Sequence, residues 1–227
     1  MAGALLDHAA LSRSAVVANC QMNRGRRLRG RGGYEWELGF DIVAFLEWRA
    51  RTRGAASWLD LCCGEGHALV EAADRFTAQG MSVDILGVDL VSAFAPTPEG
   101  VGGLERRVAD LPDWTPARRY DLVTCVHGLH YIGDKLSLVS QMAAWLVDDG
   151  CMRAHLDLQN LVLRGGSAQR RVPGMLRAAG LGYDRRMVRC NSALDAALPV
   201  VYLGADDRAG PNYTGQPAVN GVYRLSG

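Results

Sequence analysis

From Gly54 onward the sequence repeats one unit, a short apolar run closed by glycine or aspartate and followed by a helical stretch or a turn. This alternation constrains the fold more than any other feature. Parallel strands cannot be joined by a tight turn, and a helix is the crossover that buries its own apolar stripe against a face of the sheet. The runs predict strands at Ser57 to Leu61, Val83 to Val88, Arg106 to Val108, Tyr120 to Val126 and Cys151 to Leu156, with helices over His67 to Gln79, Lys135 to Leu146 and Ala168 to Ala179. Gly150 and Gly180 each follow a helix, where a left-handed cap is expected. Tyr183 to Cys190 reads as another strand and Gly221 to Leu225 as the last, after a Gly-, Pro-, Asp- and Asn-rich segment from Ala205 to Ala218. Ahead of the repeat, Ala4 to Cys20 has helical spacing, Arg24 to Gly33 interleaves arginine with glycine as a mobile segment would, and Trp36 to Leu46 suggests a second helix.

The most specific segment is Trp58-Leu59-Asp60-Leu61-Cys62-Cys63-Gly64-Glu65-Gly66-His67, a strand entering a glycine turn that opens a helix. Gly64 and Gly66 allow a sharp turn and a close approach of backbone to ligand. Asp60 ends the strand where a pyrophosphate would sit, and its charge would repel a dinucleotide while attracting a ligand that carries an ammonium and a sulfonium. Leu69 stands where a G-x-G-x-x-G fingerprint needs its third glycine, and no G-K-[ST] sequence is present. Asp89 closes the next run at roughly the 20-residue distance of a ribose-binding carboxylate. Asp110 closes the one after, where it could accept from an adenine amine while Leu111 packs on the ring. Each aspartate taken singly is an ordinary turn residue; three at successive strand ends form a pattern.

These residues resemble the class I S-adenosylmethionine (SAM)-dependent methyltransferases, whose first motif has the form Asp-x-Gly-x-Gly-x-Gly, over about Ser57 to Gly180. The resemblance implies an α/β, Rossmann-like, doubly wound and mostly parallel seven-stranded sheet, with residues 1–53 as an N-terminal helical cap or lid and 54–227 as one compact SAM-binding unit. It implies Asp60 near the methionine moiety, Asp89 at the ribose and Asp110 at the adenine, with Tyr34, Cys62, Gly64, Gly66, Leu90, Leu111 and His127 completing the cofactor lining. Cys62 occupies the place of the family's first glycine, which is expected to alter loop packing without abolishing binding.

Ligands of open α/β sheets lie beyond the carboxyl ends of the strands, so His127-Gly128-Leu129-His130-Tyr131, after the fourth strand, should face the transferred methyl. His130, with Tyr131 beside it, is the candidate catalytic base, since imidazole titrates near neutrality; a histidine satisfied at a helix start has the same sequence. His127, His130 and Asp134 have the composition of a two-histidine, one-carboxylate site, but zinc-type cysteine pairs are missing and no metal is expected. The acceptor pocket should be capped by Tyr34 and Trp36 and by the tail around Asp206, Asp207, Asn212 and Tyr213.

Composition narrows the partners. A net charge of +1 supplies no basic surplus for nucleic acid or a membrane surface, and Lys135 is the only lysine among 25 basic residues. No Asn-Pro-Pro-Tyr type of amine clamp follows the fourth strand. The six cysteines include no C-x-x-C pair, and no run reaches the roughly 18 apolar residues of a membrane span, so buried thiols in a cytoplasmic protein are expected. The expected activity is methyl transfer to a small molecule, in biosynthesis, by a monomer or homodimer. A peptide or protein side chain as acceptor, and a non-catalytic SAM-binding protein, are the alternatives.

Overall fold

A computed structural model describes residues 4–18 and 25–226. It begins with two short helices, α1 (His8–Ser12) and α2 (Ala15–Ala18), then α3 (Tyr34–Leu38) and α4 (Ile42–Arg53). The alternating part follows: β1 (Ala56–Leu61), α5 (His67–Ala78), β2 (Val83–Asp89), β3 (Leu104–Val108), β4 (Tyr120–Cys125), α6 (Lys135–Ala144) and β5 (Leu146–His155). The chain ends with β6 (Leu161–Arg164), α7 (Ala168–Ala178), β7 (Gly182–Asp184), β8 (Met187–Cys190), β9 (Val200–Asp206) and β10 (Asn220–Leu225).

Seven strands form one sheet in the order β3-β2-β1-β4-β5-β8-β7. The first five run parallel, while β8 is antiparallel to both β5 and β7. Strand order reverses between β1 and β4, which is where a doubly wound sheet opens a crevice. Every residue of β1 and of β4 is buried, as a central strand with both faces covered requires. Because successive side chains alternate, Trp58 enters one core with Leu46 of α4 and Leu69 of α5, and Leu59 enters the other with Met142 of α6 and Leu176 of α7.

The terminal regions differ from the sequence expectation. The opening segment breaks at Arg13 and Ser14 into two helices, and the Cys20 end of the expected helix lies outside the described residues. In the arginine-rich stretch, whose Arg24 lies outside the described residues, Arg26, Arg27 and Arg29 are paired with acids. Arg27 pairs with Glu71, Arg29 with Glu35, and the Leu28 N–H donates to Glu71. The single strand expected over Tyr183 to Cys190 is a hairpin, turned by Arg185 and Arg186, both with positive φ. β6 and β9 were not anticipated; they flank β10 in a separate three-stranded sheet. That sheet binds the N-terminus through the Leu6–Ala205 bridge and a small apolar cluster of Leu11, Ala205 and Val219. No disulfide joins the described cysteines, and among the described residues no helix is long and apolar enough to cross a membrane.

Candidate active site

The crevice at the switch point is a cleft lined by Cys62, Gly64, Asp89, Leu90, Asp110 and Leu111 from the β1, β2 and β3 ends and by Gly128 and Tyr131 after β4. His8, Leu11 and Ser12 of α1 close its outer side. Of the expected residues, Tyr34, Asp60, Gly66, His127 and His130 stand outside this lining.

The bend after β1 is left-handed at three points, Cys62 (φ 55°), Gly64 (φ 61°) and Gly66 (φ 75°). Cysteine in that region is strained, and its side chain sits where Gly128 leaves room: a Cβ on Gly128 would lie 2.3 Å from the Cys62 Cβ. Replacing the family's first glycine by Cys62 is therefore accommodated by a glycine on the facing loop. The bend is tied to β2 by Asp89, whose carboxylate accepts from the Gly64 N–H at 2.8 Å and from the Val91 N–H at 3.2 Å.

Asp60 is fully buried. Its carboxylate accepts from the Tyr34 hydroxyl at 2.8 Å and from the Thr124 hydroxyl at 2.5 Å, joining α3, β1 and β4. Burial pushes its pKa up to about 7, against the lowering by these two hydrogen bonds. Asp110 is engaged from the cap, by Ser12 at 2.8 Å and His8 at 2.9 Å. The N-terminal helix thus meets the carboxylate expected at the adenine.

Beyond β4 the structure assembles a histidine cluster. His127 has φ 59°, and its ring stacks on that of His155, at the end of β5, with centroids 4.2 Å apart and planes 2° from parallel. His127 Nε2 lies 3.1 Å from Glu37 of α3, and Nδ1 lies 3.0 Å from the Tyr213 hydroxyl. A carboxylate only accepts, so the neutral ring carries its proton on Nε2, and Nδ1 accepts from Tyr213. His130 is wholly buried between His127 and Tyr213; Asn160 is beside it, yet neither ring nitrogen makes a hydrogen bond of normal geometry. Desolvation lowers all three histidines, His127 and His155 to about 3 and His130 to about 4.

Sequence reasoning gave His127 to the cofactor lining and His130 and Tyr213 to the acceptor side; the structure brings the three together in one cluster outside the cleft lining. Trp36 is 67% exposed and packs on none of them. Glu37 and His155 were missed. Glu37 looks like a solvated helix charge, whereas His155 could have been found by the rule applied to the aspartates, since it is the polar residue at a strand's carboxyl end.

Residues 33–180 match a family model described as a methyltransferase domain, and because this is more than half of the chain, the protein belongs to that family, the class I SAM-dependent methyltransferases. No curated protein of assigned function matches it in sequence. Solved structures similar to it include a coclaurine N-methyltransferase bound to N-methylheliamine and S-adenosylhomocysteine (18% identity, TM-score 0.41, 60% of this chain and 42% of that one). Others are the plantazolicin methyltransferase BpumL (17%, 0.39, 49% and 43%) and CalS10, an amino pentose methyltransferase from Micromonospora echinaspora (24%, 0.38, 48% and 47%). The match thus spans less than half the length of each of these proteins.

Proposed function

We propose that this protein transfers the methyl group of SAM to a small-molecule acceptor, in a biosynthetic reaction in the cytoplasm. The observation that supports this most directly is the cleft at the β1–β4 switch point, with the left-handed bend on one wall, Asp89 behind it and the chain's own α1 over it. In this reading Gly64 offers bare backbone to the ligand, Asp89 faces the ribose hydroxyls, and Asp110 with Leu111 borders the adenine. Bound SAM supplies a methyl on a sulfonium, a leaving group good enough for alignment to provide much of the rate. In this reading Asp60, held by Tyr34 and Thr124 outside the cleft lining, positions the bend from behind.

Tyr131, at the cleft wall, and His130, behind it in the histidine cluster, are the proposed catalytic pair on the acceptor side. His130 lies outside the cleft lining and burial lowers its pKa to about 4, so in this reading it stands as a neutral base behind Tyr131. Closure of the cleft by His8, Leu11 and Ser12 of α1 favours a small acceptor over an extended peptide.

The test is calorimetric titration with SAM, S-adenosylhomocysteine and NAD, followed by incubation of methyl-labelled SAM with fractionated cell extract. SAM binding and label in the small-molecule fraction are expected. Label on protein would replace the acceptor class, and a preference for NAD would overturn the reading.

A further inference from the structure

The geometry points to a binding site for a divalent first-row transition ion, of zinc or ferrous type, held by Glu37, His127 and His155. These side chains come from α3, the loop after β4 and the end of β5, and their candidate ligand atoms all lie within 4.8 Å of one another. Two imidazoles with one carboxylate is a donor set that suits zinc and non-haem iron, and it leaves positions open for a further ligand. It is not the set suggested by sequence spacing, because the Asp134 carboxylate caps α6 by accepting from the Ser137 N–H at 3.1 Å.

Three observations favour an ion here. First, Glu37 is shared: Arg26 takes Oε1 at 3.0 Å, which orients the carboxylate so that Oε2 meets His127 at 3.1 Å and His155 at 4.0 Å. Second, His127 already has the outer partner that metal-bound histidines use, since Tyr213 sits on its other nitrogen at 3.0 Å. When Nε2 binds a metal, Nδ1 carries the proton and donates to the Tyr213 oxygen, so the contact survives with its direction reversed. Third, His155 is 5% exposed and its Nδ1 has no hydrogen-bond partner, a buried acceptor that only ligation through that same nitrogen would satisfy. Metal–nitrogen bonds of about 2.0–2.1 Å place neighbouring ligand atoms roughly 3 Å apart. The Glu37–His127 edge already has that length, whereas the His155 ring, stacked parallel on His127, has to turn out of the stack to bring a nitrogen into line, since an imidazole binds an ion in its own ring plane.

Gly128, next to His127, borders the cleft, so the site lies directly behind the cleft wall. The site itself does not depend on the methyl-transfer reading. The full chain is treated with chelator, then titrated with Co(II) by visible absorption and with Zn(II) by calorimetry, with no enzymatic readout. One ion per chain is expected, weakened more than tenfold in Glu37→Gln and in His155→Asn and unchanged in His67→Asn, which alters a separate surface pair with Glu65. Circular dichroism checks that the variants fold, and Glu37, 23% exposed, is the substitution least able to disturb the core. Absence of saturable uptake by the unmodified chain, or uptake unchanged in folded Glu37→Gln, overturns the proposal.

Discussion

The two sides of the sheet's carboxyl edge are built on different principles. On the β1–β3 side the cleft is made by residues that directly follow successive strands, Cys62 and Gly64, then Asp89 and Leu90, then Asp110 and Leu111. On the β4–β5 side the cluster joins Glu37 from the cap, His127, His155 and Tyr213 from the tail, four segments that meet only in the folded chain. The first side is a local device repeated along the chain and is legible as a motif. The second is tertiary, and its chemistry can change when any one of the four segments changes.

Four substitutions probe this contrast, and the largest effect is expected at the joint between the two sides. Asp60 has a folded pKa of about 7, above its ordinary 3.8. Below about pH 4 it is protonated in both states; between there and 7 the native state keeps a proton that the unfolded chain releases, so stability falls as pH rises. The full cost, on the order of 4 kcal/mol, is reached above pH 7. Asp60→Asn removes this dependence, and urea unfolding at pH 4.5 and 8 should show the variant gaining on the unmodified protein across that interval. An unchanged difference at the two pH values would mean that Asp60 is ionised without penalty.

Asp89→Ala comes next. It removes the charged acceptor of the Gly64 N–H, a bond worth roughly 1.5–3 kcal/mol, and with it the proposed ribose contact. SAM affinity measured by calorimetry should fall by about a hundredfold, by the factor of ten per 1.4 kcal/mol. A fall of less than fivefold would place the cofactor elsewhere.

Tyr213→Phe tests the other side. Losing one hydrogen bond to His127 Nδ1, about 1 kcal/mol, should lower the melting temperature by roughly 2–4 °C while leaving SAM affinity unaltered. Coupling of the two sides would appear instead as a loss of SAM binding. The smallest effect is expected for His8→Ala. The His8–Asp110 pair is about one-third exposed, and surface pairs contribute little and are screened by salt. SAM affinity should change by less than about threefold, with the difference shrinking at high salt.

Legibility follows the same divide. The sequence predicted β1, β2, β4 and α5 nearly to the residue, because two-sided burial writes an apolar run and glycine writes its end. It missed β6 and β9, edge strands whose pairing with β10 depends on long-range contact, and it read the β7–β8 hairpin as one strand because Arg185 and Arg186 are not usual residues for positive φ. The arginine stretch looked mobile because its partners, Glu71 above all, are distant in sequence.

By itself, then, the amino-acid sequence determined the parallel strands and the glycine cradle after the first of them, since periodicity, glycine and strand-terminal aspartate are local signals. Only the tertiary structure decided that Asp60 turns away from the cleft toward Tyr34 and Thr124, that α1 rests on Asp110, and that Glu37 meets His127 and His155. The physical reason is that a side chain's partner depends on which distant segments pack against it, and no local pattern of residues encodes that.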